Sequence, residues 1–358
     1  MTEPSVIGRL QTTIDRAVAA EPNVAGVMAR VEFPRHELRW NGVSGFDDRE
    51  GLTPQSADRP LRIASVTKLF VSAAVFRLQE EGRVSLQQTI ESLLSNDTLG
   101  TLREGGYDPA RITVAHLLSH TSGMQDHASS DEYLTAVLAG PQRRWSRSDQ
   151  IELAMSLGPP LFHPGEEFQY SDTGYVVLGE AIERLKDDRL SAIIRESLGF
   201  ADLGLTDTYW ELEEEEPSKA PNRVRQYIGE IDARGFHASL DLYGGGGLVS
   251  TLSDLTIFDR ALFSGRLFRH ANTLAGALIV PRADRQLDSH IHSYLGMVIP
   301  MGRTMGWGHL GFWGCGVAWC PATDLSISVS INQAQTNDEK LLRNLFAKLG
   351  DAVLEQSS

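Results

Sequence analysis

Cysteine is scarce in this chain of 358 residues. The two cysteines, Cys315 and Cys320, have the spacing of neither a CxxC redox pair nor a zinc knuckle. We therefore expect two reduced, semi-buried thiols and a fold that does not depend on disulfide bonds.

Long hydrophobic runs are missing as well. The apolar stretch 69–76 is interrupted by Ser72, and it is far shorter than the ~18 apolar residues that indicate a membrane helix. Near the N-terminus, Glu3, Arg9 and Asp15 stand where a secretory signal would be apolar. We therefore expect a cytoplasmic protein with no membrane-spanning segment and no membrane partner.

Positive charge is in the minority. The 33 lysines and arginines face 47 aspartates and glutamates, which gives a formal net charge of -14, and no basic run stands out. Because such a surface repels polyanions, we expect no nucleic-acid partner. With 41% hydrophobic and 22% charged residues, the composition is that of a folded globular protein. At ~150 residues per domain, the length suggests roughly two domains.

Strand patterns are concentrated at the two ends of the chain, and each end also has a helix pattern. Apolar residues recur at helical spacing over 6–18 and over 341–353, which predicts an amphipathic helix at each end. β-Branched, aromatic or alternating apolar residues predict strands at 24–33 and 37–43, joined as a hairpin by the turn 34–36, and at 294–301, 317–320 and 325–331. In the last of these, alternation with polar neighbours predicts one buried face.

Helical periodicity dominates the middle of the chain, from 65 to 185. This order predicts an α/β lobe built from both chain ends, residues 1–62 and 240–358, and a mainly helical lobe, residues 63–239. A cleft between two such lobes is a usual place for a small-molecule site. The acidic run 211–216 would repel itself in a compact element, so we expect a solvated loop, with a lid over the cleft as the alternative.

The first motif with chemical meaning is Ser65-Val66-Thr67-Lys68, at the start of the first strong helical run. Ser65 and Lys68 share one helix face, so the amine can reach the hydroxyl. Free backbone N–H groups and the helix dipole at the first turn stabilise negative charge that develops at Ser65. A serine hydroxyl needs an adjacent base to act as a nucleophile, and an uncharged lysine can be that base. Alone, the motif also fits a capping serine beside a solvated lysine.

Two further motifs follow in the chain. Tyr170-Ser171-Asp172 opens another helical stretch, and His309-Leu310-Gly311 lies in the C-terminal strand region. In this order, the three motifs resemble the S-x-x-K, Y-x-N and K-T-G or H-x-G motifs of the serine β-lactamase and penicillin-binding-protein-like superfamily. The resemblance is in particular to its branch of class C-like esterases, D-amino-acid amidases and D-aminopeptidases. It extends over about 61–333 and includes the accessory segments 117–123, 168–179 and 244–251.

The resemblance implies a β-lactamase-like fold of the α/β (α+β) class: an antiparallel sheet flanked by the N- and C-terminal helices, with an inserted all-helical lobe. It implies that Ser65 attacks a carbonyl to form an acyl-enzyme and that Lys68 accepts or relays its proton. Tyr170 would share the acid–base work and protonate the leaving group. Whether Lys68 or Tyr170 is the resting base is left open. No metal or other cofactor is implied.

The third motif and its surroundings would form the substrate side of the site. The resemblance implies an oxyanion hole made of the backbone N–H groups of Ser65 and Phe312. Gly311 is expected to keep the strand edge open, because a side chain there would obstruct the substrate. Trp307, Phe312 and Trp313 predict an apolar acyl or leaving-group pocket, with core packing as an equal alternative for each ring.

Asp172 stands where the family motif has asparagine. A carboxylate only accepts hydrogen bonds, whereas an amide also donates them. The carboxylate would favour the charged form of Lys68 and attract a cationic group of the substrate. If Lys68 is held charged, Tyr170 should matter more in the proton transfers.

His309 and Leu310 stand where β-lactam-recognising members have the lysine and threonine of K-T-G. Because those two side chains help to hold a substrate carboxylate, we expect weak or absent β-lactamase and DD-carboxypeptidase activity. His309 is expected to hydrogen-bond Tyr170 or the substrate, with a purely structural role as the alternative.

Three other candidate motifs are incomplete or absent. His116 and His120 are one helical turn apart, but they lack the carboxylate of an HExxH zinc motif. The glycines 244–247 lack the Lys-Ser/Thr of a P-loop, so we expect a flexible turn before a helix. The G-x-S-x-G elbow of an α/β-hydrolase is absent from the sequence.

Taken together, the sequence predicts a serine hydrolase that forms an acyl-enzyme on Ser65. Its substrate would be a small-molecule ester or amide, such as a D-amino-acid amide or peptide or a carboxylic ester. Two alternatives stay open: a transacylase that passes the acyl group to an amine, and a non-catalytic binding module in which Asp172 marks a decayed site. The oligomeric state is not indicated by the sequence.

Overall fold

This computed structural model of the protein describes residues 5–217, 222–281, 291–334 and 339–355. The strands, in chain order, are β1 (Gly26–Phe33), β2 (Leu38–Gly45), β3 (Leu61–Arg62), β4 (Tyr209–Trp210), β5 (Tyr227–Ile228), β6 (Ile231–Asp232), β7 (Leu248–Ser250), β8 (Met297–Met301), β9 (Thr304–Gly311), β10 (Cys315–Cys320) and β11 (Leu325–Ile331). Both predicted lobes include stretches outside the described residues, and their boundaries stay a prediction.

Between β2 and β8, the described residues include many more helical residues than strand residues. The helices are α1 (Val6–Ala20), α2 (Thr67–Glu80), α3 (Asn96–Glu104), α4 (Val114–Leu118), α5 (Asp131–Ala139), α6 (Arg147–Ser156), α7 (Asp172–Lys186), α8 (Leu190–Leu198), α9 (Phe200–Leu203), α10 (Leu252–Phe263), α11 (Ala271–Ala277) and α12 (Lys340–Leu354). Within the described residues, no helix combines the length and the apolar character that crossing a membrane requires.

A six-stranded antiparallel sheet joins the two ends of the chain. Its order is β2-β1-β11-β10-β9-β8, so the first strand of the sheet pairs with the last, with Val27 opposite Ile331. The predicted hairpin is β1 and β2, joined by a 3₁₀ turn at Pro34–His36. The two terminal helices, α1 and α12, share one apolar core with the sheet. The predicted antiparallel sheet with flanking terminal helices is thus confirmed.

The strand β11 is buried on both faces, whereas the sequence predicted one buried face. Its apolar residues belong to the core between the sheet and the terminal helices. Its serines are on the opposite face, where Ser328 Oγ donates to the Leu252 carbonyl oxygen of α10 at 3.1 Å. An alternating pattern does not distinguish a face that meets water from one that carries small polar side chains under a helix.

Helix α2 is held in the middle of the main core. Leu69, Phe70 and Val71 are 0% exposed, and burying a side chain of this size contributes about 1.5–3 kcal/mol. Phe70 stacks on Phe258 of α10 with ring centroids 3.5 Å apart. This packing fixes the position of the first turn of α2, which carries Lys68.

The acidic run 211–216 is a loop, as predicted, but it is only partly exposed to solvent. Glu211 pairs with Arg62 at 2.7 Å, and Glu214 pairs with Arg195. Arginines from distant parts of the chain thus neutralise the run, which removes the self-repulsion behind the prediction. None of its residues lines the cavity described below, as a lid would.

Both cysteines are free thiols, as expected. They are more deeply buried than predicted, because β10 is an interior strand of the sheet: Cys315 is 0% exposed and Cys320 is 1% exposed. Burial raises the pKa of Cys315 far above its usual value, so its thiolate is strongly disfavoured.

Candidate active site

Ser65 and Lys68 are in contact where α2 begins. Ser65 lies in the 3₁₀ turn Ala64–Val66 that precedes the helix. Lys68 Nζ donates to Ser65 Oγ at 2.8 Å, to the Gly245 carbonyl oxygen at 2.6 Å and to the Asp172 carboxylate. An ammonium group has three N–H donors, and here all three have an acceptor, so the geometry fits the charged form of Lys68.

The second motif marks the start of α7. Ser171 is the N-cap, and its Oγ accepts from the Gly174 backbone N–H at 3.3 Å. Such a cap satisfies an N–H group that the helix itself leaves unpaired. The cap leaves Tyr170 just outside the helix and Asp172 in its first turn, and both side chains line the same cavity as Ser65.

The hydroxyl of Tyr170 is buried and has no hydrogen-bond partner within the described residues. Burial, reinforced by the negative charge of Asp172, holds the pKa of Tyr170 well above 10, while the neighbouring Ser65 hydroxyl opposes this rise. Near pH 7 the side chain is therefore a neutral phenol. Lys68 Nζ lies 5.2 Å from the centroid of its ring.

His120 supports the ring of Tyr170. The two rings are stacked with centroids 4.2 Å apart, and His120 Nδ1 accepts from the Ser171 backbone N–H at 3.2 Å. Burial, followed by the charges of neighbouring groups, lowers the pKa of His120 well below 6.5, so the ring is neutral. The other histidine of the i, i+4 pair, His116, accepts from the backbone N–H of Thr113 through its Nδ1 at 3.2 Å. Both imidazoles therefore have structural hydrogen bonds.

His309 does not hydrogen-bond Tyr170, which was one of its expected roles. The ring centroids are 6.2 Å apart, and the Nδ1–H group of His309 donates to the Leu310 carbonyl oxygen at 2.6 Å. Burial, reinforced by the positive charge of Lys68, lowers the pKa of His309 to about 3. The imidazole is therefore neutral and its N–H is already used, so it offers no positive charge and no free donor to a substrate carboxylate.

Gly311, at the end of β9, is required for a different reason from the one expected. A Cβ atom at this position would lie 2.4 Å from the Ile63 carbonyl oxygen and 2.9 Å from Cys315 Sγ. The strand therefore packs directly against the backbone that leads into the Ser65 turn. A side chain would push these two segments apart in addition to entering the cavity that Gly311 lines.

Two of the three aromatic rings proposed for the pocket are found there. Phe312 and Trp313 line the cavity, and they pack edge to face with centroids 5.0 Å apart. Trp307 does not line it and stacks on Phe263 instead, with centroids 6.2 Å apart. Trp307 packs against the main core, which is the alternative that the sequence left open for each ring.

The motifs meet at a cavity of about 830 Å³. It is lined by seven of the eight predicted site residues: Ser65, Tyr170, Asp172, His309, Gly311, Phe312 and Trp313. The eighth, Lys68, is 1% exposed and reaches the cavity only through its contact with Ser65. The volume of the cavity and its largely apolar wall are those of a small-molecule site.

Several polar residues of this cavity were missed in the sequence, among them Asp126, Asp241 and His292. The Asp126 carboxylate accepts from the Asp172 backbone N–H at 3.0 Å, and it ties the start of α7 to the loop that follows α4. Burial, reinforced by the charge of Asp172, raises the pKa of Asp126 to about 7. Asp126 closely follows the accessory segment 117–123, but no recognisable spacing marks the other two.

The glycine run 244–247 is part of the site and not only a flexible turn. The Gly245 carbonyl oxygen accepts from Lys68, and a Cβ atom on Gly245 would lie 2.8 Å from Asp172 Oδ1. The sequence predicted a helix directly after this run, but the run leads into the strand β7. Glycine is needed here because the backbone lies directly against the ion pair of Lys68 and Asp172.

The fold agrees with the comparison to known proteins. The chain belongs to the beta-lactamase family, whose family model matches residues 14–352. Within the described residues, no three His, Cys, Asp or Glu side chains come together as a metal site would require.

Two curated relatives illustrate the range of the family. The chain is 32% identical over 209 residues to Esterase EstB from Burkholderia gladioli, across 56% of this chain and 52% of the relative. It is 27% identical over 201 residues to Monacolin J acid methylbutanoyltransferase from Aspergillus terreus, across 52% of this chain and 47% of the relative. The chain thus spans about half the length of these relatives.

Solved structures match nearly the whole chain. D-amino acid amidase from Ochrobactrum anthropi SV3 has a TM-score of 0.81 at 23% identity and covers 99% of both chains. EstCE1, described as a hydrolase with promiscuous acyltransferase activity, has a TM-score of 0.72 at 19% identity and covers 97% of this chain and 98% of its own. At such identities the similarity concerns the fold, and it confirms the predicted β-lactamase-like architecture.

Proposed function

We propose that this protein is a serine hydrolase that cleaves a small ester or amide through an acyl-enzyme on Ser65. The contact between Lys68 Nζ and Ser65 Oγ, at 2.8 Å on the edge of the cavity, carries the proposal. A serine hydroxyl needs an adjacent proton acceptor to attack a carbonyl. The esterase and the amidase among the similar proteins support the same chemistry.

The first step joins Ser65 Oγ to the carbonyl carbon of the substrate. Lys68, once uncharged, accepts the Ser65 proton, because it is the group in direct contact with that hydroxyl. The backbone N–H groups of Ser65 and Phe312 stabilise the negative charge that develops on the carbonyl oxygen. A tetrahedral intermediate results.

The second step expels the alcohol or amine and leaves the acyl-enzyme. The leaving group takes a proton from Tyr170, which the raised pKa keeps as a neutral phenol. The Lys68 ammonium then returns a proton to the Tyr170 phenolate, so that both side chains recover their starting forms. Water attacks the acyl-enzyme with the same groups and releases Ser65 and a carboxylic acid.

The polar groups of the cavity favour a substrate without a carboxylate near the reacting carbonyl. His309 is neutral, and its Nδ1–H is already bonded to a backbone carbonyl. Among the described residues that line the cavity, there is no lysine and no arginine. The position that grips a carboxylate in β-lactam-recognising members therefore offers no positive charge here.

A second candidate is a transacylase that transfers the acyl group from Ser65 to an amine. The size of the cavity supports it, since about 830 Å³ lies in the upper part of the range of about 300–1,000 Å³ for small-molecule sites. An acceptor would have room beside the bound acyl chain. Acyltransferase activity is also named for two of the similar proteins.

Intact-protein mass spectrometry tests the proposal. The protein is exposed to p-nitrophenyl esters, to D- and L-amino-acid amides and to a β-lactam, and an adduct of the mass of the acyl group is expected with an ester or amide. Ser65→Ala should abolish the adduct, whereas Ser129→Ala, which changes another serine of the same cavity, should keep it. An added amine that appears in the product identifies a transacylase. No adduct and no turnover with any compound would overturn the proposal in favour of a binding module.

A further inference from the structure

The charged side chains that line the largely apolar cavity are acidic. Five carboxylate side chains line it, and no lysine or arginine does so within the described part of the chain: Asp126, Asp131, Asp172, Asp241 and Glu339. Two of these carboxylates form an ion pair with a basic side chain of the protein. Asp172 pairs with Lys68, and Glu339 pairs with Arg343 at 2.8 Å. The remaining carboxylates determine what charge the cavity can accept.

Asp241 is a half-buried carboxylate, and it is the one best placed to face a ligand. It is the last residue of the 3₁₀ helix Ala238–Asp241, and its Oδ2 accepts from Trp313 Nε1 at 3.0 Å. In the described part of the chain it forms no ion pair with a lysine, arginine or histidine, and Oδ1 accepts no hydrogen bond. One oxygen is therefore fixed by the indole and the other is available.

Asp126 differs from Asp241 because its hydrogen bonds belong to the fold. Its Oδ1 accepts from the backbone N–H groups of Asp172 at 3.0 Å and Ala128 at 3.2 Å. Among the described residues Asp241 accepts from no backbone N–H group, and glycine stands beside it: a Cβ atom on Gly246 would lie 2.1 Å from Asp241 Oδ1. The structure thus keeps a side chain away from the available oxygen.

An unpaired carboxylate inside a cavity is unfavourable unless a cation or donor satisfies it. Burial, to which the charge of Asp172 adds, raises the pKa of Asp241 to about 7. A bound cation would supply the missing partner. The surrounding wall is apolar and aromatic, with Tyr133, Leu134 and Val137 of α5 on it, so an alkyl or aryl body would fit next to the cation.

We propose that Asp241 binds an ammonium group of the substrate, so that the esters or amides cleaved at Ser65 are amine-bearing compounds with an apolar body. This inference rests on the proposed function and assigns its substrate class. Trp313 acts as a positioning residue, because its indole N–H holds the carboxylate in place.

A binding measurement tests the site without any catalysis. The probes are 2-phenylethylamine and 2-phenylethanol, which have nearly the same shape and differ in charge, and Kd is measured by calorimetry at pH 8. A hydrogen-bonded charge pair corresponds to a preference for the amine of about 10- to 100-fold. Asp241→Asn should remove the preference and keep the acceptor for Trp313. The control Asp131→Asn, which removes an exposed carboxylate of the same cavity, should retain most of it.

Turnover of substrates with and without an amine tests the inference in the reaction itself. The p-nitroanilides of D- and L-phenylalanine are compared with that of 3-phenylpropanoic acid, which lacks the amine. We expect a higher kcat/KM for one amine-bearing compound, and we expect Asp241→Asn to lower that value alone. Equal binding of amine and alcohol, or an unchanged preference in Asp241→Asn, would overturn the inference. The proposed function fails separately, by the absence of a Ser65 adduct with every ester and amide.

Discussion

Asp172 and Lys68 form an ion pair, and Lys68 extends it to the hydroxyl of Ser65. The carboxylate favours the ammonium form of Lys68 through this contact, and it also helps to raise the pKa of Tyr170. Only the first effect, on Lys68, was predicted from the sequence. The second opposes a larger role of Tyr170 as the base, since a phenol with a raised pKa gives up its proton less readily.

Asp172→Asn is expected to move the pH dependence of the reaction. Tyr170 must carry its proton to protonate the leaving group, and the charge of Asp172 helps to hold the pKa of Tyr170 well above 10, so kcat/KM of the wild type should not fall up to about pH 10. Without that charge the pKa of Tyr170 falls, and a loss of kcat/KM at alkaline pH should begin at lower pH, by about one unit or more. A pH–rate profile with a neutral amide, whose amine leaving group needs a proton, measures the shift. An unchanged profile would show that Asp172 does not control the proton transfers.

Nitrocefin should be a poor substrate. A neutral His309 with an occupied N–H does not hold the carboxylate of a β-lactam. We expect nitrocefin hydrolysis to be about 10- to 100-fold slower, in kcat/KM, than hydrolysis of the best p-nitrophenyl ester, because the lost charge-assisted contact corresponds to about 1.5–3 kcal/mol. Absorbance assays of both compounds on the same preparation test this. Comparable values for the two would refute our interpretation of His309.

Gly311→Ala is expected to damage both stability and activity. The new Cβ atom would lie 2.4 Å from the Ile63 carbonyl oxygen, and relieving such an overlap costs about 1–3 kcal/mol. A displaced Ser65 turn should lower kcat by about 100-fold. Thermal unfolding and ester hydrolysis measure the two effects.

The matched control is Gly100→Ala in α3, where no atom lies within 4 Å of the added Cβ. It should keep activity and stabilise the helix by about 0.8–1 kcal/mol. Equal behaviour of the two variants would contradict the close packing of β9 on the Ser65 turn.

Asp259→Asn is expected to change how stability depends on pH. Asp259 in α10 is 0% exposed, and neither carboxylate oxygen has a partner within the described residues. Burial holds the pKa of Asp259 well above 3.8, so the folded state binds its proton more tightly than the unfolded state does. This contribution is complete below about pH 4 and is lost as the pH rises toward the folded-state pKa.

The comparison of melting temperatures isolates that group. The Tm of Asp259→Asn minus that of the wild type should increase as the pH is raised from about 4 to about 8. The exposed Asp131→Asn serves as the control and should show a nearly constant difference. A constant difference for Asp259→Asn as well would mean that the buried carboxyl does not titrate with folding.

Much of the site follows from local patterns. The spacing in Ser65-Val66-Thr67-Lys68 puts hydroxyl and amine on one helical turn, and the structure places them 2.8 Å apart. Ser171 caps α7 as a serine at such a position can, and this sets the direction of Tyr170. Interactions within one turn or one cap depend on a few consecutive residues, and these are visible in a sequence.

The residues around the motifs could not be predicted in this way. Asp126, His120 and Asp241 come from loops and turns whose positions depend on how the helices pack. The packing of Trp307 on Phe263 and of Gly311 on the Ser65 turn could not be predicted for the same reason, since the facing segment is distant in the chain.

By itself the sequence determined the family, the order of the three motifs and the contact of Ser65 with Lys68, because each depends on neighbouring residues. Only the tertiary structure decided the charge states of His309 and Tyr170, which are both neutral, and it placed the Asp241 carboxyl group at the cavity without an ion pair among the described residues. Charge states depend on burial and on the groups that folding brings within a few ångströms. Those distances are set when the sheet from both chain ends packs against the helices between them.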